Sequence, residues 1–136
     1  PADADWLRAL VWPSHTARRE LLDGALQVAH DDPPRLVEGD LLEDLPAVLD
    51  GIPDDVPVCV VNTLVLYQVP EAVCSALETA LHERMAERSL HWLTGAPELS
   101  GGESVDLDWV RREAGAVRRD RLVEHDPHGA WVEWHE

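Results

Sequence analysis

The chain has 136 residues, which is enough for one domain with a sizeable core, and 45 % of them are apolar, which excludes a disordered chain. It carries 27 acidic residues against 11 basic ones, a formal net charge of −16, and contains no lysine. No apolar run approaches the roughly 20 residues that a membrane-spanning helix needs, and no signal peptide opens the sequence. These features predict a soluble cytoplasmic protein without a membrane partner. Because the first residue is Pro1 rather than methionine, we expect an upstream segment to be missing or removed.

The excess of acidic residues predicts a protein adapted to molar salt. At such salt the Debye length is roughly 3 Å, so the mutual repulsion of surface carboxylates is screened. The alternative is an ordinary acidic protein. Nucleic acid is not an expected partner, because the sequence has neither a basic stripe nor a recognisable spacing of aromatic residues. The charge itself argues only weakly on this point, since molar salt also screens repulsion from phosphates.

Two helices are predicted at the N-terminus, within residues 1–34. The first covers residues 4–12 and ends at a proline. The second begins near Ser14, with Ser14 or Thr16 as the N-cap, and ends at the proline pair that follows Asp32.

Residues 35–95 predict a βαβαβ core of three parallel strands. The strands cover residues 35–38, 58–61 and 89–93, and helices at 41–49 and 71–88 connect them. The run Val58–Val61 is unbroken and apolar, which is typical of a strand covered on both faces. Residues 64–69 fit either an extension of that strand or a helical turn, and residues 94–102 are expected to form a loop.

The C-terminal part, residues 103–136, has a period-two pattern that predicts antiparallel strands. They form a hairpin or a three-stranded meander, with a turn at Asp126–Gly129. The expected fold is therefore one three-layer α/β domain over residues 1–136. It combines parallel strands joined by helices with antiparallel strands at the C-terminal end.

Cysteine and tryptophan are expected to serve packing. Cys59 and Cys74 are too few for a disulfide framework and are interpreted as small buried side chains in a reducing compartment. Trp92, Trp131 and Trp134 fall on predicted strands, so a place in the core is expected.

Candidate binding residues follow the strands, because ligands of open parallel sheets bind beyond the carboxyl ends of the strands. Asp40 could accept hydrogen bonds from an adenine amino group or a hydroxyl, or it could cap the next helix. Asn62 could bond a polar substrate group or the local backbone. Thr63, Thr94 and His128 complete the possible cleft.

Three histidines lie near the C-terminus: His125, His128 and His135. Two of them lie across a tight turn and no cysteine pair accompanies them, so no metal site is predicted. His128 is expected to occupy the turn, or to face a ligand from the hairpin tip.

Four segments carry a resemblance to a known family: WLRALVWPSHTARRELLDGAL, DPPRLVEGDLLEDLPAVL, HWLTG and HDPHGAWVEW. In this order they resemble a group of actinobacterial and haloarchaeal proteins known as domain of unknown function twenty-three thirty-two, over nearly the whole chain. That group in turn resembles class I S-adenosylmethionine-dependent methyltransferases.

The resemblance implies places in the methyltransferase sheet. It makes Asp40 part of the turn that meets adenine and puts Asn62 near the centre of methyl transfer. The three strands of the core then match the third, fourth and fifth strands, and the C-terminal hairpin matches the antiparallel pair that ends that fold. The first two strands and their glycine-rich cofactor loop have no counterpart, so the chain alone is expected to hold no cofactor, and S-adenosylmethionine only if an upstream segment completes it.

Two functions stay open from the sequence. One is a partial methyltransferase-like protein that is inactive alone, with no assigned catalytic residue. The alternative is a non-catalytic module that binds a partner or a small molecule. The missing strands would leave a sheet edge open, so a homodimer or association with a separate N-terminal half is expected.

Overall fold

The computed structural model describes residues 2–97, 104–127 and 129–135. The chain divides into two compact units, residues 1–38 and 39–136. None of the described helices is both long and apolar enough to cross a bilayer. In chain order the elements are α1 (Ala2–Ala9), α2 (Thr16–Asp31), α3 (Leu41–Asp50), β1 (Val58–Thr63), a 3-10 turn (Leu66–Gln68), α4 (Glu71–Glu87), β2 (Leu90–Pro97), β3 (Val105–Glu113), β4 (Ala116–His125) and β5 (Val132–Trp134).

The first unit contains two helices, as predicted, but α1 ends at Ala9 and the expected continuation to residue 12 is wrong. The guanidinium Nε of Arg8 in α1 donates to Oδ1 of Asp23 in α2 at 2.6 Å, which ties the helices together. The N-cap of α2 is His15, with no side-chain hydrogen bond, so the expected cap by Ser14 or Thr16 is wrong. The helix ends before Asp32, as the following prolines predicted.

No strand forms at residues 35–38, where the sequence predicted the first parallel strand. Leu36 and Val37 are exposed by 87 % and 52 %. A strand is stabilised by a hydrogen-bonding neighbour and by burial of one face. These four residues have neither, and the prediction of a complete βαβαβ unit is therefore wrong.

The fold of the second unit is mixed α/β with a five-stranded sheet in the order β1-β2-β3-β4-β5. Only β1 and β2 run parallel, and every later pair is antiparallel. The prediction of three parallel strands is therefore wrong, whereas the three-stranded meander at the C-terminal end is confirmed. β2 continues to Pro97, so the loop expected at 94–102 is wrong for residues 94–97, and its remainder lies outside the described residues.

One hydrophobic core cluster lies on the face of this sheet that α3 and α4 cover, while Val105 and Val123 are buried on the opposite face. The register brings Val58 beside Leu90 and Trp92 beside Val110, so these buried side chains project to the same side. Along a regular strand, successive side chains alternate between the two faces, which fixes the face of the remaining residues of β1, β2 and β3. The core contains Leu49 from α3, Leu77, Leu81 and Met85 from α4, and Val58, Leu90, Trp92 and Val110 from the sheet.

The opposite face of β1–β3, here called the outer face, lacks such a cover from α3 and α4. Cys59 is exposed and Val61 is 60 % exposed, so the predictions that Cys59 is buried and that β1 is covered on both faces are wrong. Trp131 and Trp134 are also exposed, by 43 % and 68 %, and not in the core. The physical reason is that β1 and β5 are the edge strands of the sheet, and the described helices of this unit pack on one face only.

Two tight turns shape the meander. Ala114 and Gly115 connect β3 to β4 with φ of 48° and 84°, the backbone of the hairpin turn whose twist matches that of the strands. At the next turn the N–H of Gly129 donates to the carbonyl oxygen of Asp126 at 2.9 Å. This confirms the turn predicted there, whereas His128 lies outside the described residues.

Arg88 organises the connection from α3 to β1. Its guanidinium donates to the carbonyl oxygens of Leu49 at 2.7 Å, Ile52 at 3.2 Å, Pro53 at 3.0 Å and Val56 at 3.1 Å. Arginine has five N–H donors in a fixed plane, so one side chain bonds four backbone carbonyl oxygens. Those of Leu49 and Pro53 also accept from the backbone N–H groups of Ile52 and Val56.

Candidate functional site

Asp40 acts as the N-cap of α3. Its Oδ1 accepts from the backbone N–H of Leu42 at 2.8 Å and of Glu43 at 3.1 Å. Its own N–H donates to Oδ2 of Asp44 at 2.6 Å, so the two side chains satisfy helix donors reciprocally. The capping interpretation of Asp40 is confirmed, and its role toward a cofactor stays a prediction.

Asn62 is engaged within the sheet. Its Oδ1 accepts from the indole Nε1 of Trp92 at 2.5 Å, and its Nδ2 donates to Oγ1 of Thr94 at 3.0 Å. Thr94 is the directly opposite residue on β2 and is buried. The structure thus brings two of the predicted site residues together, but with their polar atoms bonded to each other and to the core.

The other predicted cleft residues do not join this pair in the described part of the chain. Thr63 ends β1 and is exposed, and His128 lies outside the described residues. Among the residues that the structure describes, no hydrogen bond links Asp40 with Asn62, Thr63 or Thr94. A shared cleft at the strand ends remains a prediction.

An apolar groove of about 490 Å³ lies on the outer face of the sheet, and no residue of it was predicted as a site. It is lined by Pro57, Val58, Cys59, His91, Leu93, Trp109 and Leu122. A further groove of about 350 Å³ lies between α3 and α4. Arg84 in its wall is already paired with Asp50 at 2.7 Å and with Glu87 at 3.1 Å. This arginine is therefore less available to bind a ligand.

Strand register assembles the outer-face groove. Cys59 lies beside His91 on the parallel pair, and Leu93 lies beside Trp109 on the antiparallel pair. All four alternate with core residues such as Trp92, so they project away from α3 and α4.

A β-bulge adds Leu122 to the groove. Leu107 pairs with Val123 and the next residue, Asp108, pairs with Arg121, so Leu122 is one extra residue in β4. Bulges redirect a side chain at the cost of one ladder position. Here the redirected side chain closes the groove.

His91 and Trp109 form the polar feature of the groove. The indole Nε1 of Trp109 donates to Nδ1 of His91 at 3.1 Å, and the ring centroids are 5.7 Å apart. An indole nitrogen can only donate, so Nδ1 of His91 must accept. His91 is therefore neutral in this arrangement and carries its proton on Nε2.

Arg111 also contacts the indole of Trp109. Its guanidinium carbon lies 3.9 Å from the centre of the indole ring, and its nitrogens pair with Asp120 at 2.5 Å and Glu113 at 3.2 Å. The hydrogen bond with Asp120 raises the pKa of Arg111, so the charge persists at every working pH. The stacking and the ion pairs hold the indole in a defined orientation.

This arrangement limits the chemistry at the groove. A general base for the Cys59 thiol would need an unprotonated Nε2 on His91, and the bond from Trp109 places the proton there. For the same reason Nε2 has no lone pair available to ligate a metal in this arrangement. What the groove offers is a hydrogen-bond donor beside apolar walls, which suits binding rather than catalysis.

This site could not be predicted from the sequence, because its members lie far apart along the chain. His91 lies within the strand predicted at residues 89–93, Trp109 lies within the period-two pattern after residue 103, and Cys59 is predicted to be buried. Their common feature is that they occupy the alternate positions of three strands, but the register that aligns those positions cannot be read from one sequence.

A separate polar group lies on the helix-side face of the sheet. Ligand atoms of Asp106, Glu124 and His135 all lie within 4.8 Å of one another. His125 does not belong to this group, and its Nδ1 lies 2.9 Å from the carbonyl oxygen of Asp126.

The fold and the groove define a mixed α/β protein with an apolar depression on the outer face of its sheet. The chain belongs to the family described as an uncharacterized protein conserved in bacteria (DUF2332), whose model matches residues 1–134. Comparisons with curated proteins and with solved structures give no match. The family named from the sequence is thus confirmed, whereas its likeness to methyltransferases and its actinobacterial and haloarchaeal distribution stay predictions.

Proposed function

We propose that this protein is a small-molecule-binding module whose outer-face groove holds an apolar molecule with a hydrogen-bond acceptor. The observation that carries the proposal is the hydrogen bond from Trp109 to His91, because it fixes which nitrogen of His91 is a donor.

The dimensions and lining of the groove support a small ligand. Its volume of about 490 Å³ lies within the usual range for ligand sites. Leu93, Trp109 and Leu122 are all half-buried, so a bound apolar molecule would remove further apolar surface from water. Among the lining side chains, only His91, Cys59 and Trp109 carry polar atoms.

The polar character of the groove is that of a donor. The Trp109 N–H is used by His91, and the thiol of Cys59 is a weak donor. Nε2 of His91 has no hydrogen-bond partner among the described residues. A ligand with a carbonyl or ether oxygen can satisfy it, whereas a ligand with only donors leaves it unpaired. None of the residues that line the groove is an acid, an arginine or a lysine, so no charged partner is offered to an ionic ligand and we commit to a neutral one.

The experiment compares two bicyclic probes of similar size, coumarin with a carbonyl acceptor and naphthalene without one. Titrations are followed by amide chemical shifts, and the proposal expects shifts centred on His91, Leu93 and Trp109. The measured quantity is the ratio of the two dissociation constants, because intrinsic hydrophobicity cancels when this ratio is compared between variants.

Two variants test the donor directly. His91→Phe keeps a ring of similar size and removes the donor, so the preference for coumarin should fall about threefold to tenfold, the usual weight of one hydrogen bond. Trp109→Phe releases Nδ1, so the preference should also fall. Trp131→Phe, which changes an exposed tryptophan outside the groove, is the control and should leave the ratio unchanged. An unchanged ratio in His91→Phe, or shifts that avoid the groove, would overturn the proposal.

The methyltransferase-like affiliation is the competing hypothesis, and the same amide spectra test it. Its cofactor-binding residues would be Asp40 and Asn62, with S-adenosylmethionine as cofactor if an upstream segment completes the fold. The possible cleft would add Thr63, Thr94 and His128. Titration with S-adenosylmethionine that shifts these amides, on this chain or on a form extended upstream, would support it. Shifts from coumarin at His91 without any from S-adenosylmethionine would favour the binding module.

Self-association through β1 is proposed as a second property, and the open edge of this strand supports it. Val58 N–H donates to Ser89 and Leu64 N–H donates to Gly95, so the even-numbered residues of β1 face β2. The backbone groups of Cys59, Val61 and Thr63 therefore point toward the other edge. β1 has one partner strand among the described residues and contains no charge or proline to block a second one.

A further inference from the structure

We propose that Asp106, Glu124 and His135 form a site for a divalent transition-metal ion on the helix-side face of the meander. Their ligand atoms lie within 4.8 Å of one another, and they come from β3, β4 and the residue after β5. A carboxylate pair with one imidazole is a donor set for zinc or manganese rather than for a purely oxygen-bound cation.

Strand pairing places the three side chains together. Asp106 is directly opposite Glu124, and Glu124 is directly opposite Glu133, two residues before His135. The N–H of His135 donates to the carbonyl oxygen of Leu122 at 3.1 Å, so the backbone of the imidazole residue is also fixed by the sheet. The backbone register of the sheet therefore holds these three residues next to one another.

The electrostatics at this face favour a cation. Asp106, Glu124 and Glu133 form a row of carboxylates across three strands, and like charges directly opposite each other destabilise a sheet. Arg121 pairs with Asp106 at 2.6 Å and offsets one of the three charges. A bound divalent ion would offset the other two.

A bound metal ion is compatible with the contacts that these side chains already make. Asp106 has two carboxylate oxygens, so one can keep Arg121 while the other binds an ion. The hydroxyl of Ser104 donates to Glu124, which orients that carboxylate from outside the group. Three protein ligands leave coordination positions for water or a small ligand. The site lies on the face opposite the groove of His91 and is independent of it.

The test is calorimetric titration of the whole chain with zinc chloride and with manganese chloride, with calcium chloride as the comparison. One zinc or manganese ion should bind per chain, and the ring signals of His135 in the NMR spectrum should shift on binding. Calcium should bind more weakly, since it gains little from imidazole.

His135→Ala and Glu124→Gln should each weaken zinc binding at least tenfold. His135 is exposed and outside every strand, so its replacement leaves the fold intact. His30→Ala removes an exposed imidazole from α2 and serves as the matched control, with no expected change in affinity. Zinc affinity that is unchanged in His135→Ala, or a His135 ring that does not respond to zinc, would overturn the site and assign the binding to surface carboxylates elsewhere.

Discussion

The indole Nε1 of Trp92 donates to Oδ1 of Asn62 at 2.5 Å, which joins a core side chain of β2 to the carboxyl end of β1. The amide of Asn62 also donates to Thr94 at 3.0 Å, so both ends of this side chain are bonded inside the sheet. A residue expected at a ligand-binding strand end is thus a link between the two parallel strands. Replacing Asn62 should therefore lower the free energy of unfolding.

Asn62→Ala should lower the free energy of unfolding by about 1–3 kcal/mol, because it leaves the buried N–H of Trp92 without an acceptor. Asn62→Asp keeps an oxygen for Trp92 and should cost less. Chemical denaturation of both variants measures which of them loses more stability. Equal stability of Asn62→Ala and the native protein would show that water replaces the amide at no cost.

Arg88 gives a second prediction, because its guanidinium holds four carbonyl oxygens of the connection between α3 and β1. Arg88→Lys keeps the charge but cannot bridge four acceptors, so the free energy of unfolding should fall by at least about 2 kcal/mol. Arg84→Lys is the matched control on the same helix. Arg84 makes ion pairs with Asp50 and Glu87, and pairs of this kind are worth roughly 0–1 kcal/mol. Similar losses of unfolding free energy in Arg88→Lys and Arg84→Lys would contradict the role assigned to Arg88 in this connection.

The open edge of β1 predicts the oligomeric state. Val61→Lys places a charge in the middle of the strand and should convert a dimer to a monomer, since edge lysines block strand pairing between molecules. Light scattering after size-exclusion chromatography in molar KCl measures the mass. Val65→Lys, which changes an exposed valine beyond the end of the strand, should keep the dimer. A native protein that is already monomeric would remove the basis of the prediction.

The charge of −16 predicts that stability rises with salt. The midpoint of thermal unfolding should increase between about 0.1 M and 2 M KCl, because the Debye length falls from roughly 10 Å toward 3 Å or less and screens repulsion between carboxylates. Sucrose, which stabilises by exclusion without screening, is the control and should have a smaller effect. Greatest stability in dilute buffer would contradict adaptation to high salt.

Local sequence signals predicted the elements that depend on local chemistry. Asp40 caps the N-terminus of α3, and the prolines after Asp32 end α2. The alternation after residue 104 predicted the antiparallel meander, because a period of two is a property of each strand by itself.

The segment at residues 35–38 shows where such signals fail. Leu36 and Val37 have the composition of a strand, but a strand exists only beside a partner, and none pairs with them in the described structure. The prediction that Cys59 is buried failed for a related reason. An apolar run tells which residues could be buried on both faces, but not whether the chain supplies a cover for the second face.

The sequence by itself determined which segments form helices, which segments alternate as antiparallel strands, the net acidic charge and the family. The tertiary structure alone decided which strand faces meet, and therefore the contact of His91 with Trp109 and the grouping of Asp106, Glu124 and His135. The physical reason is that strand register and a single bulged residue, Leu122, set which side chains share a face, and both are fixed by packing between distant segments.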